Sequence, residues 1–255
     1  MGIADIDLRR LEEVGLNGLQ TQRQLFYDGW LLRISPGRAK RARSVNAFFG
    51  SSLPLAEKIP YCERVYEARG LPVLFRMTPF VAPPDLERTL VARGYQSFEK
   101  TLAQVLALDR PPEPQGATDC DVVAMAPREF VEAAGVFQEA SVEQRAAHLE
   151  RLANTPLANR GLVARNGERV VGCGQATIED GLAGIFSVAT ARDLRGRGIA
   201  TSIVAALLAW AWDHGARAAY LQVDENNYRA LAVYRRFGFA TAYTYHYLGR
   251  PGECR

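Results

Sequence analysis

Three consecutive pieces of this chain constrain its fold more than any others: a strand-like run, a Gly/Arg turn and a long apolar helix. Residues 183–188 (AGIFSV) have strand length and β-favouring side chains. Residues 199–212 carry apolar side chains all along a helix. The turn between them, residues 195–200 (RGRGIA), therefore feeds a helix N-terminus. There the first backbone N–H groups have no intrahelical partner and point outward, so they hydrogen-bond an anion, and the helix dipole adds roughly 0.3–1 kcal/mol at an exposed site. Gly196 and Gly198 let phosphate oxygens approach the main chain, and Arg195 and Arg197 supply charge. The turn has neither the Lys-Ser/Thr pair of a P-loop nor the three-glycine spacing of a dinucleotide fold.

Composition narrows the class. A chain of 255 residues with 48% hydrophobic content builds one large or two small packed domains. Its net charge of +3, from 31 basic and 28 acidic residues, gives no nucleic-acid-binding face. The densest basic run (Arg33, Arg38, Lys40, Arg41, Arg43) has no interleaved aromatics and is expected to be a solvated loop. Cys62, Cys120, Cys173 and Cys254 form no CxxC pair and have no nearby histidine, so they read as reduced thiols and no metal is expected. Asp5, Asp7, Glu12 and Glu13 stand where a signal peptide needs a basic flank, and no run of 18 apolar residues exists. A cytoplasmic protein without a membrane partner is expected.

Residues 109–116 (DRPPEPQG) hold three prolines and a glycine, which neither a helix nor a central strand tolerates, and mark a linker. Before it the pattern predicts an amphipathic stretch at 8–19, strands near 30–34 and 45–49, a helix at 55–68, a strand at 73–77, a helix at 84–93 and a strand at 97–108. After it come helices at 128–136 and 142–153, three strands, the helix at 199–212, a strand at 219–223, a helix at 228–237 and a final strand. The halves look like diverged copies. Gly70 and Gly215 each end a helix before a strand, 145 positions apart, and the Gly94-Tyr95 and Gly238-Phe239 closures lie 144 apart. Shifted by 145, the anion turn falls on residues 50–55 (GSSLPL), without arginine; shifted by 144, Tyr234 falls on Leu90.

The R-x-x-G-x-A pattern of Arg195, Gly198 and Ala200 resembles the acyl-CoA-binding motif of the GNAT superfamily of N-acyltransferases. Asn227, Ala230 and Tyr234, in N-x-x-A-x-x-x-Y spacing before Gly238-Phe239, resemble its second signature. The match covers about residues 117–250, and the first half resembles, more weakly, the degenerate domain of tandem-GNAT proteins. The resemblance implies an α/β (α+β) fold of two GNAT-like domains, each a mixed, mainly antiparallel sheet flanked by helices. It divides the chain into a degenerate domain at 1–110, a linker at 111–116 and a catalytic domain at 117–255. Such a protein transfers an acetyl group from acetyl-CoA to a primary amine by direct attack in a ternary complex. The competing reading is a non-catalytic acyl-CoA sensor or interaction module. Small polyamine, amino acid, antibiotic and protein amine all remain open as acceptor, and an internal pseudo-dimer favours a monomer.

The family's site maps residue by residue. Arg195, Gly196, Arg197, Gly198, Ile199, Ala200 and Thr201 hold the CoA pyrophosphate, and Asn227 and Ala230 lie along the pantetheine arm. The main chain of Val188, with Thr190 where the family often has proline, is the oxyanion donor. Tyr234 protonates or hydrogen-bonds the departing thiolate. With a phenol near pKa 10 and a thiol near 8.5, full proton transfer is uphill by about 2 kcal/mol in water. An alkylamine is mostly protonated at neutral pH, so a base or a water relay is needed. Glu139, Glu143 and Glu179 are candidates, each expected to be a solvated carboxylate. Trp210 and Trp212 are expected to pack on the sheet or on the neighbouring half, and Tyr243, Tyr245 and Tyr247 to share one face of the last strand. His148, His214 and His246 receive no role.

Overall fold

The computed structural model describes residues 6–21, 23–37, 39–116 and 119–252. Arg38, Asp5 and Cys254 lie outside them. The chain forms two compact units. One contains the described residues up to Gln20, Ala103–Val223 and Asn227–Ala242; the other contains Thr21–Leu102, Asp224–Asn226 and Tyr243 onward.

The first unit opens with α1 (Leu8–Asn17), capped by the Asp7 side chain, which accepts from the Arg9 N–H at 2.9 Å. Its sheet comes from β6 (Asp121–Met125), β7 (Ala158–Asn166), β8 (Arg169–Glu179), β9 (Leu182–Thr190) and β10 (Ala218–Asp224), ordered β10-β9-β8-β7-β6. The β6-β7, β7-β8 and β8-β9 pairs are antiparallel and β9-β10 is parallel. The parallel pair requires a crossover, supplied by α6 (Ile199–Asp213). Helices α4 (Pro127–Phe137) and α5 (Val142–Asn154) precede β7, and α7 (Tyr228–Phe237) follows β10.

Period-two alternation along β8 fixes which helix covers which face. A Cβ at Gly174 would lie 2.5 Å from Ile203 and 3.0 Å from Leu207, so the glycine lets α6 seat on the strand. Cys173, one residue earlier, is buried on the opposite face among Phe130, Val131 and Ala134 of α4. The apolar character of α6 follows from this seat: nine of its residues are buried, including Ile203, Val204, Leu207 and Leu208.

The second unit carries β1 (Gln24–Tyr27), β2 (Trp30–Arg33), β3 (Val45–Asn46), α2 (Leu55–Glu67), β4 (Phe75–Met77) and α3 (Leu86–Ala92). Its strand order is β1-β2-β3-β4-β11, where β11 (Ala240–Gly249) pairs antiparallel with β4 through His246 to Leu248. Strand β5 (Gln96–Ala107), like β11, is divided between the units. The core gathers Trp30, Leu32, Val45, Ile59, Cys62, Tyr66 and Phe75, and the Trp30 indole donates to the Ala82 carbonyl at 2.9 Å. Both units thus contain a strand, a crossover helix and a parallel strand: β3-α2-β4 in one and β9-α6-β10 in the other.

Among the described residues the sequence pattern located every α-helix and missed β1, β6 and the 3-10 turns at Lys40–Ala42 and Arg192–Leu194. Two expectations are overturned: Glu179 is not a solvated carboxylate, its side chain being 17% exposed beside Arg10, and the basic run is misread too. The basic run is not a solvated loop: Arg33 is 2% exposed because all four β2 residues are buried, and Arg41 and Arg43 are only partly exposed. Lys40 pairs with Glu99 and lies 5.6 Å from the centre of the Phe98 ring. Tyr243, Tyr245 and Tyr247 are all buried on one face of β11, with the Arg76 guanidinium 3.8 Å from the Tyr245 ring centre. Trp212 packs under Arg217 at 4.0 Å, and Trp210 lies tilted against His214 with ring centres 4.8 Å apart.

Candidate active site

The turn between β9 and α6 is built by two left-handed glycines, Gly196 at φ +80° and Gly198 at φ +83°, a conformation that strains any residue carrying a Cβ. Gly198 is the N-cap of α6, and no side chain caps the helix, so its first-turn N–H groups are left to an external acceptor. They open onto a cavity of about 690 Å3 lined wholly by residues of the first unit. A pyrophosphate fits this arrangement: uncapped donors, a helix dipole and the Arg195 side chain meet at one place.

Of the residues singled out from sequence, Val188, Arg195, Gly196, Gly198, Ile199, Ala200, Thr201, Asn227, Ala230 and Tyr234 line this cavity. Arg197 does not. It stands exposed on the turn, near enough to Asp193 to help hold that carboxyl below its usual range, an effect owed first to the two 2.9 Å hydrogen bonds from Arg169. The sequence reading missed Phe137 of α4 and Arg229, Val233 and Arg236 of α7. Helical spacing offered a signal for the last three, because positions near 230 and 234 on α7 share the face those residues already define.

Asn227 is the N-cap of α7: its Oδ1 accepts from the Ala230 N–H at 3.2 Å, which leaves its Nδ2 as a donor. Tyr234 lies two turns further on, 8% exposed, with its ring edge-on to Phe239 at 5.8 Å. No described residue hydrogen-bonds its hydroxyl, and burial pushes its pKa up to about 12.

Strand β9 is irregular where it passes the cavity. Cys173 pairs with Ala189 and Gln175 with Phe186, so β9 spends one residue more than β8 between these pairs and bulges opposite Gly174. Ser187 sits in the bulge at φ +55°. The parallel ladder with β10 spans only Leu182–Gly184 against Ala218–Tyr220, although both strands continue beyond it. Val188 therefore lies past the end of that ladder, beside the turn.

None of the three candidate bases lines the cavity. Glu139 pairs with Arg192 at 2.7 Å, both exposed, and Glu143 is exposed at the start of α5. Glu179 is held at the end of β8 by Arg10 at 2.8 Å and by two 3.1 Å bonds from Asn17 of α1. His148 packs edge-on to Phe130 and donates from Nε2 to Gln175 Oε1 at 3.0 Å; burial, then the Arg151 charge, lower its pKa to about 4. No helix of the described residues is long and apolar enough to cross a membrane.

The equivalent turn of the second unit is closed from within. The Asp28 carboxylate accepts from Ser52 N–H (3.0 Å), Ser52 Oγ (2.8 Å) and Leu53 N–H (2.8 Å) just before α2. Those main-chain bonds hold it well below the usual carboxylate range. Buried Lys58 reaches it at 3.0 Å from the first turn of α2 while packing 4.1 Å from the Trp30 ring centre.

An uncapped helix N-terminus, a bulged strand past the end of a parallel ladder and a phenol without a hydrogen-bond partner among the described residues meet around one cavity, an arrangement that suits an acyltransferase. Comparison with known proteins makes this specific. Residues 125–239 match the acetyltransferase (GNAT) family. The chain is 25% identical over 248 residues, 94% of its length and 98% of the relative's, to the uncharacterized N-acetyltransferase YobR of Bacillus subtilis. The fold resembles a GCN5-related N-acetyltransferase from Kribbella flavida, with TM-score 0.71 at 19% identity over 99% of this chain and 97% of that one. It also resembles a tandem GNAT protein from the clavulanic acid biosynthesis pathway, with TM-score 0.60 at 16% identity over 81% and 74%. The stretch that matches the acetyltransferase (GNAT) family, residues 125–239, contains every residue that lines the cavity.

Proposed function

We propose that the protein transfers the acetyl group of acetyl-CoA to a primary amine by direct attack in a ternary complex, with catalysis confined to residues 117–255. The observation that carries this is the convergence of the R-x-x-G-x-A turn and the Asn227/Ala230/Tyr234 helix face on one cavity. Acetyl-CoA supplies an acyl group activated as a thioester. The first-turn N–H groups of α6, with Arg195, hold its pyrophosphate, and Asn227 Nδ2 donates to the pantetheine arm. The Val188 N–H stabilises the negative charge that develops on the carbonyl oxygen as the amine nitrogen bonds to the carbonyl carbon. As the C–S bond breaks, the Tyr234 hydroxyl donates a hydrogen bond to the departing sulfur. The proton lost by the amine leaves through water, because no carboxylate lines the cavity.

The repeated strand–helix–strand order and the fold likeness to a tandem GNAT protein support reading the N-terminal part as a degenerate copy. The closed turn at Asp28 explains why that copy needs no donor. A monomer in the cytoplasm completes the proposal.

Calorimetric titration with acetyl-CoA tests it, with Gly198→Trp as the blocked control. Micromolar binding lost in the variant, followed by CoA release that rises when amines are added, is the expected result. Binding without amine-dependent release would favour an acyl-CoA sensor instead, and no binding by the wild type would overturn the donor assignment.

A further inference from the structure

Cys173 is buried against the reacting strand, and the chemistry just described leaves it unused. It is 0% exposed, and its thiol donates to the Ser187 carbonyl oxygen at 3.4 Å. The main chain of Ala189 hydrogen-bonds the same sulfur. One side chain on β8 thus ties the two residues that flank Val188, at the point where β9 carries its extra residue.

Peptide geometry gives this contact a consequence. A trans peptide is planar, and its C=O and N–H point in opposite directions. The Ser187 carbonyl and the Val188 N–H belong to one such plane. Drawing the oxygen toward Cys173 on β8 turns the N–H away from β8, to the side where pairing with β10 has already ended. Ser187 adopts φ +55° to do so, a left-handed conformation that is strained for a non-glycine residue and therefore needs a restraint. We propose that Cys173 is a positioning residue whose thiol fixes the Ser187–Val188 peptide so that the Val188 N–H faces the acetyl carbonyl. The proposal rests on the reading of Val188 as oxyanion donor.

Burial supports the assignment. The apolar cluster around it pushes the Cys173 thiol up to about 12, so the sulfur keeps the proton it donates at neutral pH and does not act as a nucleophile.

The test uses acetyl-CoA labelled with 13C at its carbonyl and isotope-edited infrared spectroscopy of the bound complex. In the wild type the carbonyl band is expected below its position in free acetyl-CoA. Cys173→Ala and Cys173→Val, both without a donor, should return it toward the free position, and Cys173→Ser, which keeps a donor, should hold it low. Calorimetric affinity for acetyl-CoA should stay within about twofold throughout, while turnover with any amine that serves falls about tenfold in the donor-free variants, a smaller loss than removing an oxyanion donor outright. Valine fills the thiol's space, so a fold defect confined to the alanine variant leaves the comparison intact. A wild-type band shift that persists in both donor-free variants would overturn the role of Cys173 alone. No shift in an acetyl-CoA-binding wild type would overturn the Val188 assignment and this inference with it. Loss of acetyl-CoA binding in both donor-free variants would also overturn it, because Cys173 would then support the fold rather than one peptide.

Discussion

Replacing Tyr234 by phenylalanine removes one hydroxyl from the cavity and nothing else, because no described residue hydrogen-bonds that group. The ring and its contact with Phe239 at 5.8 Å remain. With the phenol raised to about 12 by burial and a thiol near 8.5, complete proton transfer is uphill by about 5 kcal/mol, well above the roughly 2 kcal/mol expected for an unperturbed tyrosine. In the proposed mechanism Tyr234 therefore acts by donating a hydrogen bond to the departing thiolate while keeping its proton. A hydrogen bond to a charged acceptor is worth about 1.5–3 kcal/mol, so kcat should fall about 10- to 150-fold in Tyr234→Phe. Acetyl-CoA affinity should stay within about twofold, since the hydroxyl serves a charge present only after the C–S bond begins to break. Thiol release followed spectrophotometrically at saturating donor, beside calorimetric titration, separates the two quantities. The pH profile adds a second check: the wild-type kcat should show no loss on the alkaline side near pH 10, where an unperturbed phenol would ionise. Undiminished turnover in the variant would refute the role, and a loss beyond about a thousandfold would refute the hydrogen-bond magnitude in favour of full transfer.

Arg229→Ala and Arg236→Ala should each weaken acetyl-CoA binding about threefold in low salt, with the difference closing as salt is raised, because both exposed guanidinium groups line the donor cavity; titrations at two ionic strengths check this. Glu179→Gln should leave kcat within about twofold, as that carboxylate is committed to Arg10 and Asn17; a tenfold drop would reinstate it as a base. His148 has a folded pKa near 4 against about 6.5 unfolded, so the stability it confers is full above pH 6.5 and is lost as pH falls toward 4, by about 3 kcal/mol. Denaturant titrations of wild type and His148→Asn at pH 7 and pH 4.5 should show a smaller pH effect in the variant. Asp28 is depressed below its ordinary range, so its contribution is full above about pH 4 and lost in stronger acid; Asp28→Asn should flatten the acid limb of unfolding followed by a probe in the second unit.

The helices were legible because each is long and periodic or is bounded by a glycine or a capping side chain. Ser141 with Gln144, for example, forms a full capping box at the start of α5. β6 was not, because its burial barely alternates, with Val122 partly exposed between exposed neighbours, and an edge strand needs no clear apolar face. The Arg33 neighbourhood was misread for a related reason: five basic residues in eleven positions look solvated, yet a strand buried on both faces carried one of them inward. At the site, motif spacing located the turn and the α7 face because both are local. The bulge at Ser187 was not legible, since it exists only in the register between β8 and β9. Arg197 illustrates the remaining limit, because a turn presents alternate side chains to opposite sides and sequence alone does not say which.

The two crossover helices show why a shared fold element need not share a function. A helix N-terminus leaves about four donors without intrahelical partners, and a chain must satisfy them with a side chain, water or a ligand. No side chain caps α2 either, but in the turn just before it the Asp28 carboxylate takes the Ser52 and Leu53 N–H groups, and Lys58 behind Asp28 neutralises the charge this brings in. The turn before α6 holds no such carboxylate, and its residues Arg195, Gly196 and Gly198 line a cavity instead. An internal carboxylate is always present at high effective concentration, so a soluble anion displaces it only with difficulty. On the proposed reading of this part as a degenerate copy, closure of the turn before α2 accounts for a lack of donor binding more directly than the missing arginines do. Restoring arginines to residues 50–55 while Asp28 remains should not create acetyl-CoA binding there, and a second calorimetric site in such a variant would show that missing charge, rather than the plugged turn, had silenced it.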